Sequence, residues 1–331
     1  MINIYFRKTP VGYKLIPGDR HLVRFIKKML NIESVTGIEK VYINLCKGFD
    51  ELNVPYTKNI PFTEIKPDDA VIVLGDELYN GKDLLADYVQ PNKIIAGIGL
   101  LTHPSEWPDL FETYPIAKYL QHCAWANNLY IKYYGKDKCE EWPAGVETQK
   151  WAPDKKTEKK FDVLVYNKIR WDHEHQYTVL RNPVLKKLDE LGLSYREIVY
   201  GKYIEKDYFQ LLKECRSMFF LCEHETQGFA CCEAMSMNVP VLAWDPGFCM
   251  DPNRFIWNDP VFETSSVPFF DENCGISFKD AADFNLKVGA FWEGVTQGVF
   301  NPRKYILDNL TLKKSAERML EIIAEVYPAK S

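Results

Sequence analysis

Short apolar segments alternate with amphipathic segments along the first half of the chain. The apolar runs INIYF, VYINL and AVIVLG have the length and composition of buried strands. HLVRFIKKML and KDLLADYV, in contrast, carry their apolar residues at helical spacing. Alternation of strands with helices is typical of β-α units around a parallel sheet. The pattern therefore predicts an α/β fold.

The alternation stops at a polar segment and then begins again. PAGVETQKWAPDKKTEKK is rich in lysine and contains two prolines, as a linker between domains often does. FDVLVYN follows it and opens a second series of strands and helices. We therefore predict two doubly wound, Rossmann-like domains facing across a cleft, over residues 1–147 and 148–310. A long amphipathic helix at about 311–327 follows the second series.

Composition narrows the classes of protein that the chain can represent. A hydrophobic content of 46% and a charged content of 26% over 331 residues are those of a globular protein. The net charge of −5 provides no general attraction to nucleic acid. Nine cysteines without a C-x-x-C pair predict reduced thiols in a cytoplasmic protein. The N-terminal stretch MINIYFRKTPVG contains no apolar signal core, and no apolar window approaches the length of an integral membrane segment.

The stretch EHETQGFACCEAMSMNVPVLAWD contains two glutamates eight positions apart, Glu225 and Glu233. We predict a loop ending at Gly228, a helix beginning at Phe229, a left-handed cap at Asn238 and a following strand. The free N–H groups at the helix start suit a diphosphate, and Glu233 would face the hydroxyls of a ribose. A loop acid favouring the helix dipole, with an incidental helix glutamate, explains the spacing equally well.

With its continuation E-A-M-x-x-x-x-P-V-x-A, the stretch resembles the E-x7-E signature of retaining GT-B glycosyltransferases, notably family 4. The resemblance implies that Glu225 contacts the donor sugar, that Gly228 with Phe229 holds the diphosphate, and that Glu233 binds the ribose. Gln227 stands where the family often has Phe, which bears on the shape of the donor loop.

Two further segments carry the same resemblance. WPAGVETQKWAP, residues 142–153, is similar to the segment that joins the two domains in these enzymes. The helix at about 311–327 is similar to the one that crosses back to complete the N-terminal domain.

Four further residues are candidates for the same site. The resemblance implies that Lys168 and Arg170, after the first strand of the second domain, clamp the diphosphate and steady the leaving group. An exposed charged turn is the alternative. His103 follows a predicted strand end and could bind the transferred sugar or simply pack in its loop. Gly18 stands where the family has a glycine-rich loop near the donor phosphates, although an ordinary strand-to-helix loop explains it equally well.

Metal and cofactor chemistry is not indicated. His173 and His175 lack a partner pair at metal-binding spacing, so we expect surface histidines. The resemblance implies that a helix dipole and basic side chains replace a metal at the leaving group, and no cofactor beyond the nucleotide-sugar substrate is expected.

These features predict a glycosyltransferase that moves a sugar from a nucleoside-diphosphate sugar to a hydroxyl acceptor, a glycan, with retention. One alternative is a GT-B-like protein that binds nucleotide sugar or glycan without catalysis. Another is an enzyme that glycosylates modified DNA bases, which would need a basic N-terminal face. The candidate residues for that face are Lys8, Lys14, Arg20, Arg24, Lys27 and Lys28.

Overall fold

The computed structural model describes residues 1–7, 35–76, 81–154 and 156–328. The chain divides into two compact units. Unit 1 comprises Met1–His122, Asn127–Gly145 and Leu312–Ser331, and unit 2 comprises Cys123–Ala126 and Val146–Thr311. The described helices include none with the length and apolar character needed to cross a membrane.

Unit 1 is built on a parallel sheet of six strands in the order β2-β1-β3-β4-β5-β6. Its central strands are apolar on both faces because helices pack on a parallel sheet from both sides. The strands are β1 (Ile2–Arg7), β2 (Tyr56–Lys58), β3 (Ala70–Asp76), β4 (Ile94–Gly97), β5 (Ile116–Gln121) and β6 (Cys139–Glu141).

The helices of the described residues connect and cover the strands. They are α1 (Gly37–Glu51), α2 (Gly81–Leu85), α3 (Leu110–Thr113), α4 (Ala124–Tyr134), α5 (His173–Gln176), α6 (Asn182–Glu190), α7 (Glu205–Glu214), α8 (Phe229–Ser236), α9 (Ala281–Gln297), α10 (Pro302–Asn309) and α11 (Leu312–Val326).

The run VYINL, which we predicted as a strand, lies inside α1, so this prediction is wrong. Val41, Leu45 and Phe49 are all buried, and their spacing of four places them on one face of a helix. Thr36 caps the helix because its hydroxyl accepts a hydrogen bond from the N–H of Glu39 at 3.2 Å. The helical spacing of buried residues extends beyond the run, and a capping residue precedes it. Together these features outweigh the strand-like composition of VYINL itself.

The last helix, α11, completes unit 1 by packing on α1. A side chain at Gly48 would lie 2.5 Å from the carbonyl oxygen of Leu312, so only glycine allows this approach. The indole N–H of Trp142 donates to the carbonyl of Ser315 at 2.9 Å and ties the helix to the end of the sheet.

His122, at the end of β5, makes the stability of unit 1 dependent on pH. Its side chain is buried, its Nδ1 lies 3.2 Å from the carbonyl oxygen of Trp142, and burial lowers its pKa to about 4. In the unfolded chain His122 binds a proton below about pH 6.5, whereas in the folded protein it does so only below about pH 4. His122 should therefore lower the free energy of unfolding by about 2 kcal/mol between pH 7 and pH 5.

His122→Asn keeps a donor for the same carbonyl and does not titrate, so its fall in stability should be smaller than that of the parent by about this amount. Urea unfolding of parent and variant at the two pH values measures the difference. Equal pH dependence in both proteins would contradict the assignment.

Unit 2 contains a parallel sheet of five strands in the order β11-β10-β9-β7-β8. The chain passes from β7 outward to β8 and then returns to form β9 on the other side of β7. The carboxyl ends of β7 and β9 therefore form the switch point at which doubly wound sheets bind ligands. The strands are β7 (Phe161–Lys168), β8 (Tyr195–Val199), β9 (Cys215–Cys222), β10 (Val241–Trp244) and β11 (Gly275–Phe278).

The two ends of the long segment of unit 2 are adjacent. Val146 and Thr311 form a parallel β-bridge, and the N–H of Val146 donates to the carbonyl of Leu310 at 2.7 Å. The Arg303 guanidinium donates to the carbonyls of Thr148, Trp151 and Ser236. The segment after residue 146 is thereby held against α8 and α10.

Candidate functional site at the switch point of unit 2

Lys168 and Glu225 form an ion pair at the switch point. Lys168 ends β7, in register with Cys222 of β9, and Glu225 follows three residues after Cys222. The ammonium and carboxylate are in contact, and both side chains are 14% exposed. Burial alone would lower the pKa of Lys168 and raise that of Glu225, but each partner reverses the effect on the other. Both groups are therefore charged at neutral pH.

Arg170 lies two residues beyond β7 and is exposed. Its Nη2 donates to the carbonyl of His224 at 3.0 Å, and its guanidinium lies 4.3 Å from the centre of the Trp171 ring. Arg170 contributes with Lys168 to the lowered pKa of Glu225. Two cations therefore flank one carboxylate where β7 and β9 end.

Helix α8 begins at the same edge of the sheet. Gly228 has a φ of 65°, in the left-handed region that glycine adopts without strain, and its carbonyl accepts the N–H of Cys232 at 3.0 Å. Gln227 is buried, and Phe229, the first residue of the helix, is half-buried. The first N–H groups of a helix have no partner within it, so this end favours an anion.

The end of α8 follows the sequence prediction. Asn238 has a φ of 59°, and its N–H donates to the carbonyl of Met235 at 2.9 Å. The predicted left-handed cap is confirmed. It directs the chain into β10 without a glycine.

Glu233 lies in the second turn of α8 and is 4% exposed. Its carboxylate is near two tyrosines: burial raises the pKa of Tyr203 and of Tyr208, and Glu233 raises both further. The Tyr203 hydroxyl is 2.6 Å from that of Tyr166, and the Tyr208 hydroxyl donates to the carbonyl of Ala230 at 2.5 Å. Glu233 is thus a carboxylate beside hydrogen-bonded phenols.

His103 and Gly18 are the two site predictions that fall in unit 1. His103 is fully buried, and its Nδ1 accepts the N–H of Ser105 at 3.2 Å at the start of a short 3₁₀ turn. Its ring also contacts Tyr133 edge to face, with the ring centres 5.2 Å apart. The structure thus gives His103 a capping contact, and its role toward a sugar stays a prediction. Gly18 lies outside the described residues, as does the basic group proposed for DNA.

Residues that the sequence reasoning missed surround the ion pair. His224 stacks on Trp171 with ring centres 5.1 Å apart and meets Trp125 edge to face at 5.7 Å. The indole N–H of Trp125 donates to the carbonyl of Glu225 at 3.0 Å. Burial and Arg170 lower the pKa of His224 to about 3, so its imidazole is neutral. Trp125 is a hundred residues from Glu225, and no local pattern indicates the contact.

The two parallel sheets with flanking helices form two Rossmann-like units, and the fold is the GT-B fold. No family model matches the sequence, and no curated protein matches it. Solved structures of glycosyltransferases do match the fold.

A glycosyltransferase from Rickettsia africae ESF-5 gives a TM-score of 0.56 at 12% identity over 99% of both chains. Sucrose-phosphate synthase from Thermosynechococcus elongatus gives 0.51 at 10% identity, over 99% of this chain and 100% of the synthase. S. aureus TarM gives 0.52 at 11% identity over 86% of this chain, which spans 58% of TarM. At such identities the likeness is one of fold.

Proposed function

We propose that the protein is a retaining glycosyltransferase of the family 4 type, which transfers a sugar from a nucleoside-diphosphate sugar to a hydroxyl of a glycan. One observation carries the proposal: Lys168, Arg170 and the start of α8 at Gly228 all lie at the switch point of unit 2. Open α/β sheets bind their ligands at this point. Two cations and a helix start together suit a diphosphate.

The donor phosphates would be bound by Arg170, Lys168 and the first N–H groups of α8. These groups also stabilise the charge that develops on the departing diphosphate, so the reaction needs no metal. His173 and His175 are exposed on α5 and take no part. A structure of S. aureus TarM contains UDP, α-GlcNAc-glycerol and fondaparinux, which supports a nucleotide donor and a glycan acceptor here.

Glu225 and Glu233 would contact the two ends of the donor. Glu233 binds the ribose hydroxyls, and Glu225 lies at the sugar, where its negative charge favours the positive charge of the transition state. The leaving phosphate oxygen deprotonates the acceptor, so no protein nucleophile is required. The nearby thiol of Cys222 is unsuited to that role because burial raises its pKa well above the usual value.

We place the enzyme in the cytoplasm. The nine cysteines are all buried and none of them forms a disulfide, which is typical of a reducing compartment.

Thermal unfolding in the presence of a panel of nucleoside diphosphates tests the binding part of the proposal. One of them should raise the unfolding temperature, since a ligand at 100 times its Kd adds about 2.7 kcal/mol of stability. Arg170→Ala should reduce the shift, whereas Lys186→Ala, at an exposed lysine on α6, should not. A flat response to every nucleotide would reject the proposal. Binding without sugar transfer or donor hydrolysis would support the non-catalytic alternative.

Glu233→Gln should weaken the binding of nucleoside and nucleoside diphosphate alike. The carboxylate is proposed to accept hydrogen bonds from the ribose, and hydrogen bonds to a charged group contribute about 1.5–3 kcal/mol, so we expect about a tenfold loss. Calorimetry with both ligands measures it. Glu272→Gln, at an exposed glutamate, is the control. A loss confined to the diphosphate would show that Glu233 does not contact the ribose.

A further inference from the structure

Glu223 is the first residue beyond β9 and is fully buried. Its Oε1 accepts the main-chain N–H groups of Arg170 at 2.8 Å and of Trp171 at 3.1 Å. The pairing of β7 with β9 ends at Lys168 and Cys222, so these two N–H groups lie beyond the last strand pair. Beyond the last backbone pairing of β7 with β9, this carboxylate oxygen therefore hydrogen-bonds the segment after β7 to the segment after β9.

The second oxygen of Glu223 indicates that the residue is more than a packing element. Oε2 is buried and makes no hydrogen bond to any residue that the structure describes. Burial raises the pKa of Glu223, while the N–H groups of Trp171 and Arg170 oppose the rise. A buried carboxylate oxygen without a partner is unfavourable. The two hydrogen bonds at Oε1 offset part of this cost.

The turn that Glu223 holds carries the exposed cation of the site. Arg170 lies over the Trp171 ring and donates to the carbonyl of His224, the residue that follows Glu223. Trp171 in turn stacks on the His224 ring. Both residues anchored by Glu223 thus pack on the segment that leads to Glu225.

We propose that Glu223 is a positioning residue, whose carboxylate holds the Arg170–Trp171 turn so that the Arg170 guanidinium faces the diphosphate of the donor. This inference rests on the proposed function for the ligand. The holding of the turn is a property of the free protein. Charge-assisted hydrogen bonds are about twice as strong as neutral ones, so an amide oxygen at the same place holds the turn more weakly.

Amide hydrogen exchange of the ligand-free protein tests the holding of the turn. In peptides covering residues 168–173, exchange should be about threefold faster in Glu223→Gln and at least about tenfold faster in Glu223→Ala. Glu214→Ala, which removes a carboxylate just before the other end of β9, should leave these peptides unchanged. If Glu223→Ala does not fold, the Gln variant decides alone. Parent-like exchange in it would overturn the proposal.

Calorimetry with inorganic diphosphate tests the link to the ligand. Glu223→Gln should lower the affinity about threefold in the parent protein and not at all in the Arg170→Ala background, because Glu223 acts through Arg170. An equal loss in both backgrounds, or no loss in the parent, would overturn the positioning role. A parent protein that binds neither diphosphate nor any nucleoside diphosphate would reject the proposed function, and hydrogen exchange would still decide whether Glu223 holds the turn.

Discussion

Lys168→Met is expected to lower the rate of sugar transfer by about 100- to 1,000-fold, the range seen when one group that stabilises a developing negative charge is removed. Methionine keeps the unbranched apolar stem and loses the ammonium. The largely buried carboxylate of Glu225 then loses its contacting cation and keeps only Arg170 nearby, so the free energy of unfolding should also fall, by up to about 3 kcal/mol. A transfer assay and urea unfolding measure the two effects.

A double variant separates catalysis from stability at this pair. Lys168→Met combined with Glu225→Gln removes both charges, so it should recover most of the lost stability and none of the lost transfer. Lys186→Met, at an exposed position on α6, controls for the loss of a lysine. Because Glu225→Gln alone is expected to slow transfer, the double variant is compared with that single variant. Equal transfer in the two would show that Lys168 supports the fold and not the reaction.

Glu225→Gln is expected to change transfer and nucleotide affinity in opposite directions. Transfer should fall about 100-fold because the charge that favours the transition state is lost. The affinity for nucleoside diphosphate should rise, by up to about tenfold, since Lys168 no longer has a carboxylate partner and is available to the phosphates. Calorimetry and a transfer assay on the same preparation measure both.

The control for this variant is Glu263→Gln, at an exposed glutamate in the segment between β10 and β11. A fall in nucleotide affinity for Glu225→Gln would place Glu225 on the nucleotide and would reject its assignment to the sugar. Unchanged transfer would remove Glu225 from the chemistry altogether.

Features with a local cause could be predicted from the sequence. AVIVLG forms most of β3, and the helix that begins after Gly228 ends at the left-handed Asn238, because apolar runs and special backbone positions are properties of a few adjacent residues. The strand predicted at VYINL was wrong because the features that make this segment helical lie outside the run. Its helical period extends beyond the run, to Phe49, and its cap lies before it at Thr36.

The arrangement within the site could not be predicted in the same way. Lys168 and Glu225 were each placed at a strand end, but their contact depends on the register of β7 against β9. Glu223 is a charged residue directly after an apolar strand, which is only a weak sequence signal for a site residue. Its role depends on the turn after β7, which lies beside it only in the folded protein. Trp125 gave none, because its partner is set by tertiary structure alone.

The pairing of Val146 with Thr311 bears on the order in which the two units fold during synthesis. The long segment of unit 2 begins and ends at one place, and α11 is synthesised only after it. Domains usually fold during synthesis from the N-terminal one onward. In this protein all strands of unit 2 have been synthesised before α11, the last helix of unit 1, is made. The face of α1 at Gly48, which α11 covers in the folded protein, therefore stays exposed until translation has passed unit 2.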